Sequence, residues 1–238
     1  MDPLEIPQSY VNEIFSSKPD AYWRMEGNLQ NEIAGNEALT LQSIGSSIRF
    51  HQSEQNNYIE LHESDEFNAL KIDQKLKFSE DQNFTIELLA CADRINRSTL
   101  FGLYDPSGVK ENGETNHVAL IDFMHVAMTF HHIPAAIRTA FRPVPSDDYY
   151  TGINMFTNTK YVPGRWVHIV FVKGSDYTAT YINGEQTSWV ELNPNDRLKA
   201  GDYAVIFGQM SIQDWNKAMP SQKRPFTGGI DEIAIYYR

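Results

Sequence analysis

Large apolar residues alternate with small or polar ones in the second half of the chain, and this pattern predicts a β-hairpin. Apolar and β-branched residues dominate positions 166–172, and a second run at 177–182 alternates large and small side chains. A short loop containing Gly174 separates the two runs. Asn183-Gly184 follows the second run, and this pair tolerates the positive φ angles of a tight turn. We therefore expect paired antiparallel strands here, ending in a tight turn.

The last apolar run, at 226–237, predicts another strand, and it contains the glycine pair Gly228-Gly229. In a regular strand successive side chains point to opposite faces. One face would then carry Ile230, Glu232, Ala234 and Tyr236, and the other Asp231, Ile233, Ile235 and Tyr237.

Helical periodicity is confined to short segments. Tyr10, Val11, Ile14 and Phe15 predict an amphipathic helix over residues 9–18, which Pro19 ends. We also expect a helical turn at 64–70 and a short helix at 212–218. The remaining predicted strands are 21–27, 38–42, 47–50, 57–61, 84–91, 100–104, 117–124, 126–133 and 203–208. Up to residue 91 their spacing of about 8–12 residues is that of a sandwich.

Three separated motifs resemble the LamG-like jelly-roll modules of the concanavalin A-like superfamily. They are AYWRMEG at 21–27, YINGE at 181–185 and the terminal F-x-G-x-I-D-E-x-x-I-Y at 226–236. The resemblance implies an all-β, two-sheet antiparallel jelly-roll sandwich, preceded by the short N-terminal helix. We expect residues 1–20 to form a helical extension and 21–238 the LamG-like domain, with a long variable insertion around 104–160.

The stretch at 9–27 is similar to the start of LamG-like modules in planctomycete-type proteins that also carry a FecR-like segment and a membrane anchor. This resemblance implies an extracytoplasmic module, periplasmic or at the cell surface, within a larger exported protein. No run in the sequence approaches the roughly 18 apolar residues of a membrane-spanning helix.

Composition fits one large core. The chain has 238 residues, of which 41% are hydrophobic and 12% aromatic, and all-β sandwiches commonly reach this size undivided. Its net charge of -11 disfavours general binding to nucleic acid or anionic membrane, which require clustered Lys and Arg. Cys91 is the only cysteine, so no intrachain disulfide can form, and its apolar neighbours predict a buried thiol.

Signatures of catalysis are missing from the sequence. Laminarinase-like glycoside hydrolases need paired carboxylates on one strand face, but the E-x-D at Glu63 and Asp65 is followed by Phe67 or Asn68 where the third carboxylate is needed. No G-x-S-x-G motif suggests a serine hydrolase. We therefore expect a protein that is not an enzyme.

Two kinds of metal site can be considered. His117, His125, His131 and His132 could supply zinc ligands, although adjacent His131 and His132 would point to opposite strand faces. The family resemblance implies one structural Ca2+ between the first and last strands, held by Glu26 and Asp231, and oxygen ligands suit that ion. Alternatively, Asp231 pairs with an arginine such as Arg24 or Arg238.

A ligand site for sugar requires an exposed aromatic face flanked by planar hydrogen-bonding groups. We expect Trp23 and Trp166 to lie in the core and Trp189 and Trp215 to be more exposed. The variable segment concentrates the required residue types, and its candidate ligand-binding residues are Arg138, Arg142, Asp147, Asp148, Tyr149, Tyr150 and Asn154.

The sequence thus favours a non-catalytic, lectin-like recognition module that binds a carbohydrate or protein through variable loops. The alternative is a structural or assembly domain of a larger membrane-anchored protein, with no ligand of its own. A glycoside hydrolase is the third hypothesis.

Overall fold

The computed structural model describes residues 4–36, 39–46, 48–53, 56–63, 66–95, 97–109, 115–124, 135–142, 152–194, 196–211, 216–218 and 220–237. Helix α1 spans Gln8–Ser16 and helix α2 spans Pro220–Lys223. The strands are β1 (Ala21–Trp23), β2 (Leu41–Ile44), β3 (Ile48–His51), β4 (Tyr58–Leu61), β5 (Ala69–Ile72), β6 (Leu76–Phe78), β7 (Phe84–Ala92), β8 (Ser98–Val109), β9 (Thr115–Met124), β10 (Ala136–Phe141), β11 (Ile153–Phe156), β12 (Val167–Lys173), β13 (Tyr177–Ile182), β14 (Glu185–Glu191), β15 (Gly201–Phe207) and β16 (Gly228–Tyr236).

These strands form two antiparallel sheets. Sheet A has the order β14-β13-β12-β7-β16-β4-β3, and β1 also pairs with β16. Sheet B has the order β11-β10-β9-β8-β15-β5-β2, and β6 also pairs with β15. The predicted all-β, two-sheet jelly-roll sandwich with a short N-terminal helix is confirmed.

Some local predictions differ from the structure. The helical turn expected at 64–70 is wrong at its end, because Ala69 and Leu70 belong to β5 and pair with β2 and β15. Strand β14 was not predicted; none of its residues is buried, so its sequence lacks the apolar alternation that marks a strand. The strand expected at 126–133 and most of the helix expected at 212–218 lie outside the described residues.

The core lies between the facing sheets. On β12, Val167, Ile169 and Phe171 are buried and alternate with half-buried residues, as the two-residue period predicts. Trp23 is fully buried, as expected, and its indole N–H donates to the Leu39 carbonyl at 3.0 Å. Cys91 is also buried. Burying such side chains stabilises a protein by about 1.5–3 kcal/mol each.

The alternation predicted for the last strand is interrupted by a β-bulge. The register of β16 against β7 shifts between Asp231 and Ala234, and Glu232 has a φ of 49°. Ile230 and Ile233, which were expected on opposite faces, therefore both pack in the core. The bulge leaves Asp231 and Glu232 as adjacent carboxylates, both fully buried.

Helix α1 covers part of the outer face of sheet A. Its buried residues Val11 and Ile14 pack against Tyr22 of β1 and Ala234 of β16. The Tyr10 hydroxyl lies 3.3 Å from Glu87 Oε1 on β7 and donates to it. Neither described helix is long and apolar enough to span a membrane.

Candidate functional site

The loop that leads into β12 is held in place by Tyr161. Its hydroxyl accepts a hydrogen bond from the Ala92 backbone N–H at 2.7 Å and donates to the Arg165 carbonyl at 2.8 Å. The Tyr161 backbone N–H donates to the Ala135 carbonyl at 2.8 Å. Residues 160–165 are therefore tied to sheet A through Ala92.

The turn between β13 and β14 faces this loop. Asn183 and Gly184 both have positive φ, 50° and 81°, which confirms the predicted Asn-Gly turn. The Asn183 side-chain Oδ1 accepts from the backbone N–H of His168 at 2.9 Å, so the turn is also fastened to β12.

A cleft of about 370 Å³ lies between this loop and this turn. Its apolar floor includes Ile137 of β10 and Val167 of β12, both buried. The other lining residues are Thr159, Lys160, Tyr161, Val162, Arg165, Trp166, Ile182, Asn183, Glu185 and Thr187.

Trp166 is half-buried and lines the cleft, so the expectation that it lies in the core is wrong. Its ring packs edge-on against Tyr58, with centroids 5.0 Å apart. A Cβ atom at Gly229 would lie 2.6 Å from Trp166 Cη2, so only glycine lets the indole lie this close to β16. The glycine pair of the terminal motif thus leaves room for Trp166 beside the cleft.

Positive, negative and neutral polar side chains rim the cleft. Lys160 and Arg165 are exposed on the loop, whereas Asn183 and Glu185 are exposed on the turn. An aromatic ring beside convergent donors and acceptors is the arrangement that recognises a polar ligand with apolar faces. None of these four residues was predicted as a site residue; a sequence signal for them is the pairing of a Pro-Gly loop, at 163–164, with the Asn-Gly turn.

Of the seven predicted ligand-binding residues, the three that the structure describes do not share one exposed loop. Arg138 lies on β10 and is only 3% exposed, and Arg142, which follows β10, is also buried. Asn154 is exposed on β11, and its Oδ1 accepts from Arg138 at 3.2 Å. The remaining four, Asp147, Asp148, Tyr149 and Tyr150, lie outside the described residues.

Arg138 instead belongs to a buried ionic cluster on sheet B. Asp122 of β9 contacts the guanidiniums of Arg138 and Arg224, the latter at 3.3 Å, and accepts from the Thr99 hydroxyl at 2.7 Å. Burial alone would raise the pKa of Asp122, but the two arginines outweigh it and hold that pKa below its usual range. The cluster is therefore charged, and Arg138 is committed to it.

A second group of carboxylates lies where β1 and β16 meet. Glu26 Oε2 accepts from Asn57 at 2.7 Å, and Asp231 Oδ2 accepts from Asn56 at 2.7 Å. Glu232 accepts from the Tyr22 hydroxyl and lies 3.6 Å from Arg24. The arginine contact proposed for Asp231 is thus made by its neighbour, while Arg238 lies outside the described residues.

These carboxylates carry more negative charge than their partners neutralise. Burial and the neighbouring Glu232 raise the pKa of Asp231 well above its usual value. Burial also raises the pKa of Glu232 to about 7, although Tyr22 and Arg24 oppose the shift. Asp231 Oδ1 is buried and has no hydrogen-bond partner among the described residues. Buried carboxylate oxygens of this kind are suitable ligands for a cation.

Metal ligands from side chains alone are too few here. In the described part of the chain, no three His, Cys, Asp or Glu side chains are placed to hold a metal ion together. A Ca2+ bound to Glu26 and Asp231 would take its other ligands from carbonyl oxygens or water. Of the candidate zinc histidines, His117 is buried on β9 and the other three lie outside the described residues.

Taken together, the element order and the two antiparallel sheets define a jelly-roll sandwich. The family model Laminin_G_3, of the concanavalin A-like lectin/glucanase superfamily, matches residues 64–238. This match covers most of the chain, which therefore belongs to that superfamily. No curated protein matches the chain significantly in sequence.

Solved structures of other proteins share the fold at low identity. Domain 4 of AbnA, an extracellular GH43 arabinanase from Geobacillus stearothermophilus solved with arabinotriose, has a TM-score of 0.59 and 17% identity over 92% of both chains. The heptameric SAP-like pentraxin of Limulus polyphemus has a TM-score of 0.52 and 14% identity, over 73% of this chain and 71% of that one. The binding domain of botulinum neurotoxin serotype D has a TM-score of 0.59 and 12% identity, over 94% and 49%.

Replacing Gly229 with alanine should displace the Trp166 indole, because the new Cβ would overlap the ring. We expect a shift in tryptophan emission and a loss of stability of about 1–3 kcal/mol, as for overpacking. Denaturant unfolding monitored by fluorescence measures both. Gly164→Ala is the matched control for stability: Gly164 has a φ of 79° but no neighbouring atom within 4 Å of its Cβ position, so the indole should not move.

Replacing Asp122 with asparagine removes the carboxylate that both buried guanidiniums contact. We expect a loss of about 3–5 kcal/mol in the free energy of unfolding. Because the pKa of Asp122 is lowered by folding, its contribution is present above the unfolded pKa and declines as the pH falls towards the folded one. In urea unfolding, the difference in free energy of unfolding between the parent and Asp122→Asn should therefore shrink as the pH is lowered from 7 to 3. Asp202→Asn, which changes an exposed carboxylate, should match the parent at each pH.

Proposed function

We propose that this chain is a non-catalytic, extracytoplasmic recognition module that binds a carbohydrate in the cleft beside Trp166. The observation that carries the proposal is the cleft itself, in which a half-buried indole stands among exposed Lys160, Arg165, Asn183 and Glu185. Aromatic rings bind the apolar faces of sugars, and planar or charged groups bind their hydroxyls. Residues 21–238 would form the module and residues 1–20 its helical extension.

The family and the neighbouring folds support a binding role. The superfamily includes lectins and glucanases, and domain 4 of the Geobacillus arabinanase was solved with arabinotriose. Among the described residues that line the cleft, Glu185 is the single carboxylate, whereas glycoside hydrolysis uses two. This composition favours binding over hydrolysis, and we propose that the chain is not an enzyme.

The proposed setting is outside the cytoplasm, within a larger exported protein. Its support is the likeness to an extracellular arabinanase domain and the family resemblance of the N-terminal segment. The charge of -11 disfavours nucleic acid as a partner. If no glycan or protein binds the cleft, a role as an assembly domain of that larger protein takes its place.

We also propose that Glu26 and Asp231 hold one structural Ca2+. Its support is the buried, unpartnered Oδ1 of Asp231 and the like charges of Glu26 and Glu232 around it. When bound, the ion would supply positive charge that offsets this repulsion and would join the ends of the domain, since Glu26 follows β1 and Asp231 lies on β16.

Loss of the Trp166 side chain should weaken glycan binding strongly. A glycan array on the parent protein identifies the oligosaccharide, and calorimetry then measures its affinity. We expect Trp166→Ala to weaken binding at least about tenfold, because central tryptophans commonly contribute about 2 kcal/mol or more. Phe50→Ala, which removes an exposed aromatic at the opposite edge of sheet A, is the control.

Trp166 also packs on Tyr58, so its removal can affect folding as well as binding. Glu185 is exposed, and Glu185→Gln therefore provides a second cleft variant with little effect on folding. It should weaken binding while leaving the melting temperature within about 1–2 °C of the parent, as for surface substitutions. Array hits whose affinity neither variant changes would show that the cleft is not the binding site.

Calcium should raise the melting temperature of protein that has been treated with chelator. At one hundred times Kd an ion adds about 2.7 kcal/mol, which shifts a domain of this size by roughly 5–10 °C. Asp231→Asn should remove this increment, and without calcium it should be at least as stable as the parent because a buried like charge is gone. Asp73→Asn, at an exposed site, should keep the full increment; a parent protein indifferent to calcium would contradict the proposal.

A further inference from the structure

Three aromatic residues lie together on the outer face of sheet A, at the edge farthest from β3. Tyr177 and Tyr181 belong to β13, and Trp189 belongs to the edge strand β14. Their strand neighbours Thr178 and Thr180 are buried against sheet B, where they contact Met155 and Thr139. Because side chains alternate along a strand, the three aromatics point away from the core. We call them the aromatic platform.

Two rings of the platform are nearly parallel. Tyr177 and Trp189 have ring centroids 6.3 Å apart and an interplanar angle of 20°. Between Tyr177 and Tyr181 lies Ala179, which is the cross-strand partner of Trp189 and is fully buried. The two tyrosines are four residue steps apart along the strand, so the platform is about 13 Å long. That length suits a chain of several sugar rings rather than a single one.

Trp189 is more exposed than packing of the hairpin requires. Half of its surface is accessible to water, although a cross-strand aromatic contact adds only about 0.2–1 kcal/mol. Trp189 is the most exposed of the large hydrophobic residues that the structure describes. An indole left in water beside two half-buried tyrosines marks a surface that is suited to a partner with apolar faces.

The charges around the platform exclude anionic partners. Glu191, the cross-strand partner of Tyr177, and Asp176, which precedes it, are both exposed. At the other end, the Tyr181 hydroxyl lies 3.2 Å from Gln186 Oε1 and donates to it. Carboxylates and amides accept and donate hydrogen bonds to sugar hydroxyls, whereas phosphate, sulfate or uronate groups would be repelled.

We propose that the aromatic platform is a second binding site, which holds the surface of an uncharged, insoluble polysaccharide. The inference deepens the proposed function, because it rests on the chain being a carbohydrate-binding module. The two sites lie on opposite faces of one hairpin: Ile182, next to Tyr181, lines the cleft and packs on the core. Cleft and platform can thus engage neighbouring chains of one polysaccharide, and such bivalent contact multiplies the apparent affinity.

The test compares retention on solid polysaccharide with binding of soluble oligosaccharide. The probes are microcrystalline cellulose, insoluble β-1,3-glucan, insoluble mannan and starch granules, together with the soluble oligosaccharide found for the cleft. We expect the parent to be retained on at least one solid. Trp189→Ala should lower its partition coefficient at least about tenfold yet leave the affinity for the soluble oligosaccharide unchanged.

Two further variants control for folding and for general loss of an exposed ring. Trp189→Phe keeps an aromatic surface and should restore most of the retention, while Phe50→Ala, at an exposed aromatic on the opposite edge of the sheet, should bind like the parent. Melting temperatures should agree across the set within the range of surface substitutions.

Each result has a distinct meaning. Retention of Trp189→Ala at the parental level, or failure of the parent to bind any of the four solids, overturns the platform. If the platform is overturned while soluble oligosaccharide still binds in a Trp166-dependent way, the proposed function stands without the platform. If soluble binding fails but retention persists and depends on Trp189, the cleft assignment falls and the platform remains.

Discussion

The structure depends on the pairing of its last strand in the middle of sheet A. Strand β16 is hydrogen-bonded to β7 on one side and to both β4 and β1 on the other. The first and last strands of the domain therefore close on each other, and the sheet cannot be completed until the chain ends. Long-range pairing of this kind costs loop-closure entropy, which a large apolar core must offset.

The glycine pair and the bulge of β16 also determine where neighbouring side chains lie. Gly229 gives Trp166 its place beside the cleft, and the bulge at Glu232 turns two adjacent carboxylates into buried neighbours. Burying two adjacent carboxylates destabilises a fold unless positive charge or hydrogen bonds compensate, which is why we propose a cation at this junction of β1 and β16. The same short motif, from Phe226 to Tyr236, thus serves the core, the cleft and the acid cluster.

The sequence was informative where residue pattern and burial coincide. The alternation of β12 and β13, the Asn-Gly turn and the amphipathic helix were predictable because local periodicity and turn chemistry report them directly. The cleft was not, since Trp166 looks like a core residue until Gly229, far away in the sequence, opens space for its ring. The role of Arg138 was hidden for a similar reason: the pairing of β9 with β10 brings it to Asp122, and that partner cannot be identified from the sequence around Arg138.

Opposite faces of the hairpin formed by β13 and β14 differ in what they can recognise. The cleft has Lys160 and Arg165 near Glu185 and so presents charges of both signs, whereas the platform has an acidic border and two nearly parallel aromatic rings. A single hairpin is rigid enough to keep two such surfaces in constant relation, because β13 is paired on both sides. Because the two surfaces are held at a constant separation, weak contacts at both can act together. Two such contacts would retain the protein on a solid polysaccharide more strongly than either contact alone.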